Sequence, residues 1–178
     1  GDQSIHLLEN RDGTLVRTLE KRIPELGTQY CRSITLHQGL LHFVGNEDIV
    51  IYRVERGSVS ATGQVIHLPQ NYQGSNDIFF LGSRHGIFTS TPQKAFLFSS
   101  LDELANGTAQ DVSAAFRGTP YSVSRFDGRL WIPEITEYSA IRSYPAGGDS
   151  ISQASARTLF DFGEPDSQSM ERKRQIPT

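Results

Sequence analysis

Three segments spell the same order of strand, glycine turn and strand: ITLHQGLLHFVG (Ile34–Gly45), LGSRHGIFTS (Leu81–Ser90) and SVSRFDGRLWIP (Ser122–Pro133). Read around Gly39, Gly86 and Gly128, they recur at steps of 47 and 42 residues. Each is followed by a polar turn and a further strand, and the first and last of these end in an aromatic, Tyr52 and Tyr144. A unit of three or four short strands cannot bury both of its apolar faces alone. It becomes stable when stacked between neighbours of its own kind. Setting FDGRLWIP beside HQGLLHFVG places Trp131 against Phe43, with an offset of one residue.

The rest of the sequence follows the same grammar. Strands are expected at Ile5–Leu8 and Thr14–Leu19 around an Asp12-Gly13 turn, then at Arg32–His37, Leu40–Val44, Ile49–Val54 and Gln64–Leu68. Gln70–Asn76 reads as a polar loop, and Ile78–Leu81 as a strand buried on both faces. Gly86–Ser90 and Ala95–Ser99 form a hairpin, and Ser100–Ala105 is a short helix capped by Ser99 or Ser100. Tyr121–Phe126, Arg129–Ile132, Ala140–Tyr144 and Arg157–Phe162 complete the strands, with Pro145–Ser155 as a loop. The pattern resembles β-propeller repeats. The fold expected is all-β and propeller-like, partial or open, with about four blades of 40–50 residues; a β-sandwich is the alternative. Residues 1–162 form one domain and 163–178 a polar tail or linker. No WD, kelch or NHL signature accompanies the strands.

The totals bound the function. At 178 residues, 37% hydrophobic and 21% charged, the protein is large enough to bury a core without staples. Its net charge of −3 gives no general attraction to nucleic acid or an anionic membrane. No apolar run is long enough for a transmembrane helix, and no signal peptide opens the sequence. Starting at Gly1 implies a processed product, an excised domain or a fragment. A single cysteine, Cys31, forms no internal disulfide and leaves the compartment unread. The sequence leaves the localisation unknown, with a soluble protein, secreted or part of a larger assembly, as the expectation.

Chemistry-bearing motifs are absent: no G-x-S-x-G, no phosphate loop and no dinucleotide fingerprint. The five histidines lack metal spacing, so no metal and no cofactor is expected. Asn106-Gly107-Thr108 is a formal glycosylation sequon that reads better as the end of a helix. Paired carboxylates would suit glycoside hydrolysis, with Asp77, Asp102, Glu103, Asp127, Glu134 and Glu137 available. Trp131–Glu134 (WIPE) resembles the Trp-x-Pro-acid stretch of five-bladed glycoside hydrolases. Ser99–Thr108 (SSLDELANGT) resembles a sialidase Asp-box, departing from it in a longer insert and no following Trp. The glycine-turn strands with an SSLDEL turn are also similar to propeller-like domains of phage tail accessory proteins, which implies a structural and binding part.

The expected function is therefore a non-enzymatic binding or assembly module within a larger protein or complex, partnered by another protein or by copies of itself. The alternative is a propeller that binds or hydrolyses glycans. The ligand-binding candidates are Tyr72, Asp77, Arg84, His85, Trp131 and Glu134, in or beside the segments Gln70–Asp77, Arg84-His85 and Pro133–Tyr138. Trp131 and Glu134 have plainer readings as a blade-packing residue and a turn residue. The basic run Glu171–Arg174 is read as solvated tail, with docking on a partner as the sharper idea.

Overall fold

The computed structural model describes residues 4–27, 30–55, 58–90, 92–135 and 140–161. It is built from antiparallel sheets stacked in sequence order. A hairpin of β1 (Ser4–Arg11) and β2 (Thr14–Arg22) comes first. Blade one is the meander β3 (Ser33–His37), β4 (Leu40–Val44), β5 (Asp48–Glu55) and β6 (Ser58–His67). Blade two follows as β7 (Ser75–Leu81), β8 (Arg84–Ser90), β9 (Gln93–Phe98) and the two-residue β10 (Gln110–Asp111). Blade three holds β11 (Thr119–Pro120), β12 (Ser124–Phe126), β13 (Arg129–Ile135), β14 (Ala140–Pro145) and β15 (Arg157–Asp161). The expected propeller-like all-β architecture is what forms. The tail beyond 162 lies outside the described residues.

Three cores fill the spaces between layers. Ile5, Leu7 and Leu19 of the hairpin pack over Phe43, Val50 and Tyr52 of blade one. The opposite face of blade one (Val44, Ile49, Ile51 and Ile66) meets Ile78, Phe80, Ile87 and Phe98 of blade two. The far face of blade two (Phe79, Leu81, Phe88 and Leu97) meets Leu130, Ile132 and Tyr144 of blade three. Strand side chains alternate, so β7 sends Ile78 and Phe80 one way and Phe79 and Leu81 the other. That is why every residue of β7 is buried.

The turns correct the register of the repeat. Blade one turns at Gln38-Gly39 and blade three at Asp127-Gly128, with positive φ at both turn residues, the I′ pattern. Blade two turns at Gly82-Ser83 instead, with positive φ at Gly82 alone, as a II′ turn requires. Gly86 is thus not a turn residue. It lies inside β8 opposite Phe79, and a Cβ there would sit 2.0 Å from the ring. The equivalent turn positions are 39, 83 and 128, which makes the repeat more regular than the glycines suggest. In this frame Trp131 corresponds to His42 and Gly86, not to Phe43; the residue equivalent to Phe43 is Ile132.

Other boundaries move for local reasons. Gln70–Asn76 is not a free loop. Gln70–Tyr72 forms a 3₁₀ turn, and Ser75 and Asn76 begin β7. The strand expected at Gln64–Leu68 is the end of the longer β6, and that expected at Tyr121–Phe126 shortens to Ser124–Phe126. β13 runs on through Pro133 to Ile135 because its neighbour is interrupted there, between β11 and β12, so the missing N–H costs no ladder bond. The helix α1 (Leu101–Ala105) is capped by Ser100, whose Oγ accepts from Glu103 N, while the Glu103 carboxylate accepts from Ser99 N at 2.7 Å. SSLDEL is thus a capped helix, and Asn106 and Gly107 terminate it.

Gly86→Ala is expected to lower the stability of the protein by about 1–3 kcal/mol, because the Phe79 ring has no room to yield in a packed core. Urea unfolding against the wild type measures it.

Candidate functional site

The sequence candidates separate into three places. Tyr72 and Asp77 flank a polar cleft at the start of β7. Arg84 and His85 sit at the other end of that hairpin, and Trp131 and Glu134 point to opposite faces of β13.

The cleft is built on the segment that links blade one to blade two. Leu68 N donates to Glu47 O at 2.7 Å, Gly74 N to Asn46 O at 2.8 Å, and both Ser90 N and Ser90 Oγ to Gly74 O at 3.0 and 2.8 Å. Tyr72 anchors the segment: its ring is buried edge-on against Phe96, and its hydroxyl accepts from Ala109 N at 3.0 Å. Above this frame Arg32, Asn46, Gln70, Asn71, Gln73, Gly74, Ser90 and Pro92 line an open cleft of about 790 Å³. The β7–β8 ladder slips between Ser75 and Asp77, leaving Asn76 as the bulge residue. Asn76 Oδ1 accepts from Arg32 Nη1 at 3.3 Å. A smaller pocket of about 270 Å³ shares Arg32 and continues past Asp77 to Tyr121. Asp77 itself is buried. Its oxygens accept from Ile78 N at 2.9 Å and from Val123 N at 3.0 Å, joining blade two to the segment between β11 and β12 of blade three. Burial pushes its carboxyl up against the pull of those N–H groups.

At the far end of the hairpin, Arg84 Nη1 donates to Gln110 Oε1 at 3.0 Å. His85 stacks on Phe98 and meets Phe80 edge-on, with ring centroids 5.5 and 5.1 Å apart. His37 stacks on the same Phe80 at 3.8 Å, and His42 lies 5.1 Å from it. Alternation along the sequence does not assign His37 and His42 to one face. A two-residue turn pairs His37 with Leu40, and Leu40 shares its face with His42, so the register alone places both imidazoles together. Desolvation lowers all three pKa values, that of His42 to about 4. Among the described residues no three His, Cys, Asp or Glu converge as a metal would require.

Glu134 is fully buried and its acceptor capacity is used. One oxygen accepts from Arg117 N and Gly118 N, both at 2.9 Å, and has Arg142 Nε 3.9 Å away, while the other accepts from the Tyr144 hydroxyl. Burial and this carboxylate push the Tyr144 phenol well up. Instead of a turn residue, Glu134 is a tie between β13, β14 and the loop before β11. Trp131, on the other face, is half-buried with its ring edge-on to Phe126 at 5.9 Å. With Phe126, Pro133 and Ile141 it lines an apolar hollow of about 310 Å³. Phe160, paired with Ile141 and 57% exposed, extends this face, and Phe126 is 67% exposed. The remaining residues of the Pro133–Tyr138 segment, 136–138, and with them Glu137, lie outside the described residues.

No family model matches the sequence, and no curated protein does. Among solved structures it is similar to the WD40 domain of Neurospora crassa Pan2, at 10% identity and a TM-score of 0.45 over 77% of this protein and 39% of that one. It is similar to the N-terminal domain of Nup159, at 11% identity and a TM-score of 0.44 over 77% and 36%. It is also similar to apo AztD from Citrobacter koseri, at 15% identity and 0.45 over 90% and 43%. The match spans less than half the length of each. Likeness at this level speaks to neither ligand nor activity, and the order and stacking of the sheets define the fold without it. None of these three is a glycoside hydrolase or a phage tail protein by name.

Two outcomes follow from this geometry. Glu134→Ala strands two main-chain N–H groups and the Tyr144 hydroxyl in the core, and an expected loss of about 3 kcal/mol or more is readable by urea unfolding. The folded-state pKa of His42 lies below that of an unfolded histidine, so the unfolded state binds more protons in the window between them. Stability is therefore full above about pH 6.5 and falls as pH drops toward 4. His42→Leu should flatten that fall, measured as urea midpoints at pH 4.5 and pH 7.

Proposed function

We propose that the protein is a non-enzymatic assembly module, a stack of blades in which the apolar face of blade three around Trp131 docks on another β-sheet. The observation that carries this reading is the fate of one structural position. In blade one it is His42, 97% shielded beside Phe80 of blade two. In blade two it is Gly86, filled by the Phe79 ring. In blade three it is Trp131, which belongs to none of the three cores. The surrounding side chains, Phe126, Pro133, Ile141 and Phe160, are those of an inter-blade face rather than of a solvated one. The Trp131 Nε1–H is out of solvent and has no acceptor among the described residues. Another sheet of the same kind supplies the matching apolar surface.

A hydrolytic role draws no support from Asp77 and Glu134. Asp77 and Glu134 each hold main-chain N–H groups across a joint of the fold, and the WIPE tryptophan and glutamate face opposite sides of their strand.

The isolated protein should self-associate through this face. Sedimentation velocity over a concentration series is expected to show mass above the monomer for the wild type and monomer for Trp131→Glu and Phe160→Glu, with unchanged far-ultraviolet circular dichroism. A wild type that stays monomeric at the highest attainable concentration, with a Trp131→Glu variant of equal solubility, would sink the docking-face reading.

A further inference from the structure

We propose that the polar cleft between blades one and two binds an extended, acidic polypeptide segment. The cleft is distinct from the Trp131 face, so this goes beyond the assembly reading and fails or stands separately from it.

Four carboxamides line the cleft: Asn46, Gln70, Asn71 and Gln73. A carboxamide offers two N–H donors and one carbonyl acceptor, the same groups that a peptide unit pairs with. An extended segment advances ~3.3 Å per residue and presents those groups alternately, so a row of amides can follow it where a row of charges could not. The frame beneath the amides is already fixed. Asn46 and Gly74 are tied by a backbone hydrogen bond, Ser90 donates twice to Gly74 O, and Gln73 Nε2 donates to Leu68 O at 3.4 Å. Binding therefore orders little that is not ordered beforehand.

The charge of the cleft sets the ligand's sign. Among the described residues that line it, Arg32 is the one charged side chain. One guanidinium nitrogen is directed to Asn76 Oδ1, and that contact sets the head group at the junction of the large cleft and the smaller pocket. A guanidinium has five N–H donors in a fork that matches a carboxylate. The neighbouring Asp77 faces main-chain N–H groups with both oxygens. A carboxylate on the ligand, from an acidic side chain or from the carboxyl terminus of a polypeptide, is the group that Arg32 selects. Among the described residues lining the large cleft a saccharide finds no aromatic face, because Tyr72 turns its ring inward onto Phe96.

A random-peptide library displayed on phage and panned on the immobilised protein tests the assignment. The wild type is expected to enrich sequences carrying Asp or Glu. A synthetic peptide of the leading sequence should lose about tenfold or more in affinity with Arg32→Glu, and a similar factor when its own carboxylate is replaced by an amide. Asn71→Asp, at an exposed position, should weaken binding in the same direction, whereas Trp131→Glu should leave it unchanged. Amidating only the carboxyl terminus of the peptide separates a terminal carboxylate from an acidic side chain. The proposal is overturned if no sequence is enriched. It is equally overturned if enriched peptides bind Arg32→Glu and Asn71→Asp as tightly as wild type, or if a glycan panel shows Arg32-dependent binding where peptides show none.

Discussion

The alternation along Ile78, Phe79, Phe80 and Leu81 is the constraint on which the remaining layers rest. A strand with one apolar face needs one neighbour, but β7 has two such faces and needs two. Ile78 and Phe80 bring blade one against it, and Phe79 and Leu81 bring blade three. Blade two is therefore the keystone of the stack: β7, β8 and β9 each contribute to both cores, and Gly86 exists so that the Phe79 ring can lie across β8. The polar joints follow from the same stacking. Asp77 reaches the link between β11 and β12 of blade three and Glu134 gathers the loop that precedes β11, since buried backbone N–H groups at the seams between sheets must find acceptors.

Much of this order is legible in the sequence. Asp-Gly and Gln-Gly turns locate their hairpins to the residue, because two positive φ angles in succession admit few sequences. The apolar run at Ile78–Leu81 announces burial on both sides. What misleads is the glycine at 86. Composition alone does not distinguish a glycine that bends the backbone from one that makes room for a ring, and the true turn residue, Gly82, sits four positions earlier. The pairing of Trp131 with Phe43 has a separate origin, an offset of one residue between HQGLLHFVG and FDGRLWIP, whose turn glycines Gly39 and Gly128 set Trp131 opposite His42. Gln70–Asn76 misleads differently. Its polar composition conceals the burial of its last residues because Ser75 Oγ donates to Tyr72 O at 2.6 Å and Asn76 is held by Arg32, so these two polar side chains are satisfied within the fold.

The candidate site is legible only in part, since nothing local in a sequence reports which face of a strand is covered. Tyr72 and Asp77 do lie beside a cleft, but as its anchors. The amides that line it, and Arg32, carry no motif. Among the described residues the stack leaves two features over: an apolar face of blade three around Trp131, and an amide-lined cleft at the seam of blades one and two. We propose both as surfaces for recognising another polypeptide; among their described lining residues neither holds the paired carboxylates that glycoside hydrolysis demands.

Native-state hydrogen exchange, followed amide by amide, tests most directly whether two-sided burial holds the molecule together. If it does, the slowest amides belong to β7 and β8, and protection falls away in both directions, toward the β1–β2 hairpin and toward β15, whose five residues are all exposed. Equal protection across all layers, or slower exchange in β14 and β15 than in β7, would contradict it.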